Sequence, residues 1–304
     1  MRNASTQMVY DLAAQDERVM AITADNRNEI YENIHRDFPK QYLDYGIAES
    51  NMIASAAGLA SCGRIPFLYT ITNFMSMRAF EFIRNDVCVG NQNVKFLGRS
   101  SGLISSNMGP THQGTEELSL LRCLPNLLVI TPVSPREARE ATRFAYQHYG
   151  PVYIRLEGLN EPEYFGDDYI FTPGNGSVLR PGKDITLFSM GSIVSEALIA
   201  AQSLSSLGIE MNIINMPTVR PIDEQKILKA IGESKGIITL EEHSVWGGLG
   251  SAVAEVIAES SGAIPFKRLG LRGCASGSGF RQEVRSLNGL AQEDIIRTVK
   301  EMLS

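Results

Sequence analysis

Glu49 is the first residue whose surroundings suggest chemistry, in the segment DYGIAESNMIASAAGLA at 44–60. Acidic side chains are common in the first turn of a helix because they interact favourably with its dipole, so Glu49 alone favours a structural role. The small residues from Ala54 to Ala60, however, are typical of a helix that packs closely against another element. Together with the apolar neighbours Ile47 and Ala48, they predict a buried carboxyl group.

His112 is a second candidate, in the sequence GPTHQG at 109–114. This sequence ends a long irregular stretch at 99–114, and a loop of that length inside a compact domain is usually functional. An imidazole titrates near neutral pH, so His112 has the chemistry for proton transfer. An exposed surface histidine is the alternative, and the residues by themselves leave both interpretations open.

Arg155 follows the predicted strand at 151–154. The carboxyl ends of parallel strands are where α/β sheets bind anions, so this position favours an anion contact. A structural salt bridge explains the same residue equally well. Both interpretations of Arg155 therefore stay open at this point.

Two further patterns have structural interpretations. Phe74, Met77 and Phe80 recur at helical spacing, which is typical of a buried core stripe. The sequence EEHSVWGGLG, which begins at Glu241, resembles a phosphate-binding loop but lacks the full G-x-G-x-x-G spacing. We interpret its glycines as close packing or an interface, without nucleotide binding.

The elements that must position these residues alternate between strand and helix along the chain. Short apolar runs such as 19–23 and 65–69 predict buried strands, and helical patterns such as 49–60 separate them. The stretch at 158–182 is rich in proline, glycine and aspartate, which predicts a linker. A second α/β series follows it. The sequence thus predicts two α/β domains, at 1–157 and 183–304, with mainly parallel sheets covered by helices on both faces.

Composition excludes several classes of partner. The 304 residues carry a net charge of −6 and no lysine- or arginine-rich run, which argues against nucleic acid and anionic membranes. The four cysteines are far apart and form no C-x-x-C pair, which argues against a zinc ribbon or a redox motif. The N-terminus resembles neither a secretory signal nor a basic transit peptide, so we expect a cytoplasmic protein.

The order of five segments resembles one family. DYGIAESNMIASAAGLA, NFMSMRAFEFIRNDV, GPTHQG, LRCLPNLLVITP and GPVYIRLEG resemble the pyrimidine-binding domain of transketolases. GIEMNIINMPTVRPID and EEHSVWGGLGSAVAE resemble the transketolase C-terminal domain. The resemblance covers residues 4–304 and is closest to the C-terminal subunits of split transketolases. The chain is also similar to 1-deoxyxylulose-5-phosphate synthases.

The resemblance implies thiamine diphosphate as cofactor and gives Glu49 the central role. Glu49 matches the glutamate that bonds the aminopyrimidine ring nitrogen, which promotes the imino tautomer that removes the thiazolium proton. This chemistry requires a buried carboxyl group. Phe74 matches an aromatic residue that stacks on the pyrimidine. Ile71 stands where the family often has a second phenylalanine, and Met77 is expected beside the cofactor as well.

Four residues are implied to contact substrate. His112 matches a histidine near the reacting oxygen and, with Glu49, is the expected catalytic group. Arg155 matches an arginine that binds the anionic end of a sugar phosphate through two parallel hydrogen bonds, and Arg99 is expected as a further contact. Met108 replaces an aspartate that hydrogen-bonds sugar hydroxyls, which a thioether does only weakly. Donor or acceptor specificity is therefore expected to differ from that of ordinary transketolases.

A second chain is implied by a missing motif. Full-length transketolases hold the metal and the diphosphate with a Gly-Asp-Gly motif and a later asparagine, and the chain contains no Gly-Asp-Gly. The resemblance therefore implies a separate N-terminal transketolase subunit that holds Mg²⁺ and the diphosphate, in an expected α₂β₂ complex. No metal ligand is expected in this chain.

The predicted function is the transfer of a two-carbon ketol unit from a ketose or ketose phosphate to an aldehyde. A beta subunit of a 2-oxoacid dehydrogenase and an enzyme like deoxyxylulose-phosphate synthase are alternatives, and GPTHQG with GIAESNM favours transketolase over the 2-oxoacid dehydrogenase. A non-catalytic regulatory subunit is a third alternative. The presence of both Glu49 and His112 argues against it.

Overall fold

The computed structural model describes three stretches of the chain, residues 1–26, 28–158 and 161–304. The chain divides into two compact units. The first contains residues 1–101 and 120–172, and the second contains residues 102–119 and 173–304. The second unit thus includes a segment from within the first predicted domain. Leu159 and Asn160, which belong to the predicted linker, lie outside the described residues. The domain boundaries at 157 and 183 stay a prediction.

Six strands form a parallel sheet in the first unit. They are β1 (Val19–Thr23), β2 (Tyr42–Asp44), β3 (Ile65–Ile71), β4 (Lys95–Arg99), β5 (Leu128–Ile130) and β6 (Val152–Arg155). Their order is β5-β6-β4-β3-β1-β2, and every pair is parallel. Continuous burial of β1 and β6 is typical of parallel strands that are covered on both faces. The carboxyl ends of all six strands therefore lie along one edge of the sheet.

Helices connect these strands: α1 (Arg2–Ala13), α2 (Glu29–Asp37), α3 (Glu49–Ser61), α4 (Phe80–Phe82), α5 (Glu117–Leu121) and α6 (Pro135–Gln147). Side-chain caps fix the starts of α2 and α6, where Asn28 and Ser134 accept hydrogen bonds from backbone N–H groups. The region around α4 is unusual, because π-helical segments at Phe74–Arg78 and Ile83–Val89 flank it. Such segments are frequent at functional sites.

The second unit contains a second sheet. The strands of this sheet are β7 (Ser177–Arg180), β8 (Ile185–Ser189), β9 (Met211–Asn215), β11 (Gly236–Ser244) and β12 (Phe266–Leu271). The unit also contains the short strand β10 (Thr218–Arg220), which is not part of this sheet. Its helices are α7 (Val194–Ser205), α8 (Glu224–Glu233), α9 (Leu249–Glu259), α10 (Arg281–Leu287) and α11 (Gln292–Leu303). The sheet order is β12-β11-β8-β9-β7, in which only the β7–β9 pair is antiparallel among the described strands. The predicted fold of two α/β domains with mainly parallel sheets is confirmed.

One stretch of the predicted linker is structured. Residues Ser177–Arg180, inside the range 158–182, form the edge strand β7. An edge strand that is only partly buried carries no continuous apolar run, which explains why its residues show no strand pattern. No helix in the described part of the chain is long and apolar enough to cross a membrane.

Candidate active site

Glu49 is the first residue of α3, immediately beyond a tight turn that follows β2. Gly46 adopts φ +62°, a left-handed conformation that glycine reaches without strain, and its carbonyl accepts a hydrogen bond of 2.7 Å from the Ala48 N–H. The Glu49 side chain is only 1% exposed. Small residues of α3, among them Ala56, Ala57 and Ala60, are buried along the same helix. The predicted burial of this carboxyl group is confirmed.

Arg78 is the residue that meets this carboxylate. Its Nη1 lies 2.6 Å from Glu49 Oε2, although the arginine side chain is 49% exposed. The same guanidinium lies over the ring of Phe74, 4.8 Å from the ring centre, at a distance typical of a cation–π contact. Arg78 was not identified from the sequence. The available signal in the sequence was its position four residues after Phe74, the aromatic residue predicted to contact the cofactor.

The segment that carries Phe74 does not form the core stripe that its spacing predicted. Met77 is 40% exposed, and Phe74 and Phe80 are only partly buried. The physical reason is the π-helical winding at 74–78, because i→i+5 pairing takes residues three apart off a common face. Ile71, at the end of β3, is partly buried. Contacts of Ile71, Phe74 and Met77 with a cofactor stay a prediction.

Arg99 and Arg155 end the neighbouring strands β4 and β6, so both stand at the carboxyl edge of the first sheet. Arg99 is partly buried and donates from Nη1 to Asn26 Oδ1 at 2.8 Å. The Arg155 side chain is 1% exposed and binds the equally buried Glu157 carboxylate at 2.6 Å. The salt bridge considered from the sequence is therefore present. Substrate contacts of Arg99 and Arg155 stay a prediction.

His112 and Met108 lie on one loop of the second unit, residues 102–119, which we call the His112 loop. Gly102 and Gly114 exchange two backbone hydrogen bonds, which closes the base of this loop. His112 is partly exposed, with Nδ1 at 2.9 Å from Thr111 Oγ1. Met108 is 56% exposed and ends a 3₁₀ turn at Ser106–Met108. Their predicted substrate contacts are untested by this geometry.

The glycine-rich segment after β11 packs closely, as the sequence indicated. The Glu241 carboxylate accepts hydrogen bonds from the Leu249 and Gly250 N–H groups at 2.7 and 2.8 Å, at the start of α9. A Cβ on Gly248 would lie 2.1 Å from Glu241 Oε2, so only glycine fits there. A carboxylate thus occupies the position at which a phosphate would bind such a loop.

Metal-binding side chains are not clustered in the residues that the structure describes. No group of three or more His, Cys, Asp or Glu side chains there could hold a metal ion.

Two family models match the chain. They are "Transketolase, pyrimidine binding domain" at residues 1–161 and "Transketolase, C-terminal domain" at residues 174–295. The first match alone covers more than half of the chain, and together they account for nearly all of it.

Similar proteins carry related names. An apulose-4-phosphate transketolase subunit of Actinobacillus succinogenes is 39% identical over 265 residues, which are 86% of this chain and 84% of that protein. The 6-deoxy-6-sulfo-D-fructose transketolase subunit SqwH of Clostridium sp. is 34% identical over 99% of this chain and 94% of that protein. The chain is also similar to 1-deoxy-D-xylulose-5-phosphate synthases, and it covers about half of their length.

A solved structure matches the whole fold. It is described as a split gene transketolase, inactive beta4 tetramer, and is 35% identical, with a TM-score of 0.89. The match covers 99% of this chain and 97% of that one. Both the sequence and the fold of that protein are thus similar to those of this chain along nearly all their length.

Proposed function

Because this chain belongs to the transketolase family, we propose that it is the C-terminal subunit of a split transketolase. In this proposal it works with an N-terminal subunit to transfer a two-carbon ketol unit from a ketose to an aldehyde. The observation that carries the proposal is the buried Glu49 carboxyl group at the start of α3, which the half-exposed Arg78 contacts from one side. A buried carboxyl group reached from a solvent-accessible side suits a site that bonds a ring nitrogen.

The first unit fits the pyrimidine half of thiamine diphosphate. Glu49 supplies the carboxyl group and Phe74 an aromatic face, and Ile71 and Met77 would border them. When bound, the cofactor supplies a thiazolium carbon that becomes nucleophilic after it loses a proton. Glu49 would hold a proton at the ring nitrogen, while Arg78 keeps the carboxylate in place.

The diphosphate and Mg²⁺ would be held mainly by the partner. The described residues offer no metal-binding cluster, and the sequence contains no Gly-Asp-Gly motif. Two of the similar proteins are themselves named as transketolase subunits, which supports a second chain type. An N-terminal subunit with Gly-Asp-Gly, in an α₂β₂ complex, remains our proposal for that chain.

His112, Arg99 and Arg155 are proposed to face the substrate. The partly exposed imidazole of His112 can exchange a proton with a substrate oxygen. Arg99 and Arg155 add two cations to the carboxyl edge of the first sheet, although Arg155 is already paired with Glu157. The anionic end of a sugar phosphate would be the ligand of that edge.

Met108 favours an unusual sugar. The thioether stands exposed where the family aspartate would bind a hydroxyl, and it offers only a weak acceptor. Two relatives are named for apulose 4-phosphate and for 6-deoxy-6-sulfo-D-fructose, so similar chains are associated with sugars outside ordinary pentose shuttling. We therefore propose a transketolase of a specialised pathway.

Reconstitution tests the function. The chain is co-purified with a candidate N-terminal subunit and assayed for ketol transfer with and without thiamine diphosphate and Mg²⁺, with pyruvate as a 2-oxoacid control. We expect transfer from a ketose only when both subunits and the cofactor are present, and no turnover of pyruvate. Turnover of pyruvate without ketol transfer would contradict the proposal, as would full activity of a complex that carries Glu49→Gln.

A further inference from the structure

Two consecutive residues of β11 hold the two ends of the His112 loop. The Leu103 N–H donates to Glu242 Oε2 at 2.9 Å, near the start of the loop. The Leu118 N–H donates to His243 Nε2 at 3.1 Å, near its end. All four residues belong to the second unit. The loop therefore takes its position from one short segment at the end of a buried strand.

Glu242 is itself held rigidly. Its side chain is fully buried, and Arg281 and Arg285 both bind its carboxylate, with Arg285 Nε at 2.5 Å from Oε1. Burial raises the pKa of Glu242, but the two guanidinium groups outweigh burial and hold it below the usual range. The anion is thus retained at neutral pH. Arg285 also binds Glu196 at 3.2 Å, which ties the pair to α7.

His243 is held in one tautomer. Because Nε2 accepts from the Leu118 N–H, the ring proton lies on Nδ1, from which it is donated to the Ser244 carbonyl at 2.8 Å. The ring is fully buried, and the carboxylates of Glu117 and Glu241 lie 3.9 and 3.8 Å from its nitrogens. A ring fixed on both nitrogens can place the backbone of Leu118 accurately.

Other contacts fix the middle of the loop to the same unit. The Ser106 hydroxyl donates to the Gly279 carbonyl at 2.9 Å, and the Ser278 hydroxyl donates to the Ser106 carbonyl at 3.0 Å. The Ser244 N–H donates to the Thr115 carbonyl at 2.7 Å. These bonds hold the loop on both sides of Met108 and His112.

We propose that Glu242 and His243 are positioning residues for the reaction, because together they set where His112 and Met108 stand toward the substrate. This inference rests on the proposed function. Glu242 and His243 act through backbone N–H groups of the loop, whereas Glu49 belongs to the first unit. Their loss should therefore weaken substrate use while it leaves cofactor activation intact.

The test uses the reconstituted complex and compares His243→Leu, which removes the acceptor, with His243→Gln, whose side-chain carbonyl can accept from Leu118. Glu242→Gln, which keeps an acceptor but not the charge, is the second variant, and Glu301→Gln on α11 is the exposed, matched control. A displacement of reacting groups by 1 Å costs up to about 100-fold in rate. We expect His243→Leu to lower kcat/KM by roughly 10- to 100-fold, with a lower kcat because His112 is displaced and a higher KM for the donor sugar because Met108 is displaced.

Two readouts separate positioning from stability. Proton exchange at the thiazolium carbon should stay within about twofold of wild type in His243→Leu, and His243→Gln should recover most of the lost kcat/KM. Amide hydrogen exchange at 103–118 should be faster in His243→Leu and normal in Glu301→Gln. Unchanged kcat and donor KM in a folded His243→Leu complex, or a parallel loss of transfer and of thiazolium exchange, would overturn the inference. Absence of ketol transfer in the wild-type complex would instead contradict the proposed function.

Discussion

The Arg78 guanidinium binds the Glu49 carboxylate at 2.6 Å and at the same time covers the ring of Phe74 at 4.8 Å. Two residues expected to receive the cofactor are thus joined by a third that is half exposed. The arginine fixes the direction of the carboxylate before any ligand binds. A preorganised carboxylate loses less conformational freedom when it bonds a ring nitrogen.

Arg78→Met should lower the free energy of unfolding by about 1 kcal/mol. Solvent around the half-exposed Arg78 weakens its ion pair with Glu49, which would stabilise the fold more if both side chains were fully buried. A double-mutant cycle with Glu49→Gln, followed by denaturant unfolding, should return a coupling energy of about 1 kcal/mol. Arg297→Met, which removes an exposed ion pair with Asp294 on α11, is the control and should cost less. If the effects of Arg78→Met and Glu49→Gln on the free energy of unfolding were strictly additive, the ion pair would contribute nothing to stability.

Met108→Asp should improve the use of common sugars. Under the proposed function the Met108 thioether faces a sugar hydroxyl, and leaving that hydroxyl unpaired costs roughly 1–3 kcal/mol, which corresponds to about ten- to a hundredfold in efficiency. The measurement is kcat/KM of the complex with xylulose 5-phosphate as donor and ribose 5-phosphate as acceptor. Met108→Leu, which stays apolar, is the matched control and should gain nothing. High wild-type efficiency without a gain from aspartate would assign hydroxyl recognition to another residue.

Lys95 should make stability depend on pH. Burial lowers the pKa of Lys95 from 10.5 to about 7, while its ammonium donates to the carbonyls of His148 and Gly150 at 2.8 and 2.6 Å. Between those pKa values the unfolded chain binds more protons than the folded chain. The free energy of unfolding should therefore rise with pH, by up to about 1.4 kcal/mol per pH unit.

Lys95→Met removes this contribution. Between about pH 7.5 and about pH 9.5, the free energy of unfolding of the wild type should therefore increase relative to that of the variant. Denaturant unfolding at several pH values measures it. Parallel stability curves for the two proteins would show that the two carbonyls keep the lysine charged in the folded state.

Cofactor binding should require the partner. Under the proposed function, Glu49 and Phe74 contact only the pyrimidine of the cofactor, and the partner holds the diphosphate and Mg²⁺. Calorimetry with thiamine diphosphate and Mg²⁺ should therefore detect weak or no binding to the chain alone and clear binding to the complex. Micromolar, metal-dependent binding to the purified chain would refute the need for a partner.

The fold was largely predictable because most elements have strong local patterns. The apolar run VMAIT and the small-residue helix from Glu49 lie within a residue or two of their predicted bounds. Three helices, α2, α8 and α10, were missed. Only two residues are buried in each of them, so few apolar positions mark these helices, although Asn28 and Asp223 provide cap signals for α2 and α8. For α2 and α8, the cap residues therefore indicate the start of the helix more clearly than the apolar pattern does.

The site was predictable only where its residues act locally. Burial of Glu49 followed from its own helix, whereas its pairing with Arg78, 29 residues later, depends on a π-helical segment that propensities do not reveal. The bond from Leu103 to Glu242 spans 139 residues. Such a contact depends on tertiary folding, and no spacing rule connects its two ends.

Glu49→Gln in the assembled complex tests the central claim most directly. The amide keeps the shape of the side chain but cannot share a proton with the pyrimidine, so proton exchange at the thiazolium carbon, followed by NMR, should fall roughly 1,000-fold or more. Cofactor affinity should change far less, and Glu81→Gln, an exposed glutamate of the first unit, should exchange normally. Near wild-type exchange in Glu49→Gln would contradict the assignment of cofactor activation to this chain.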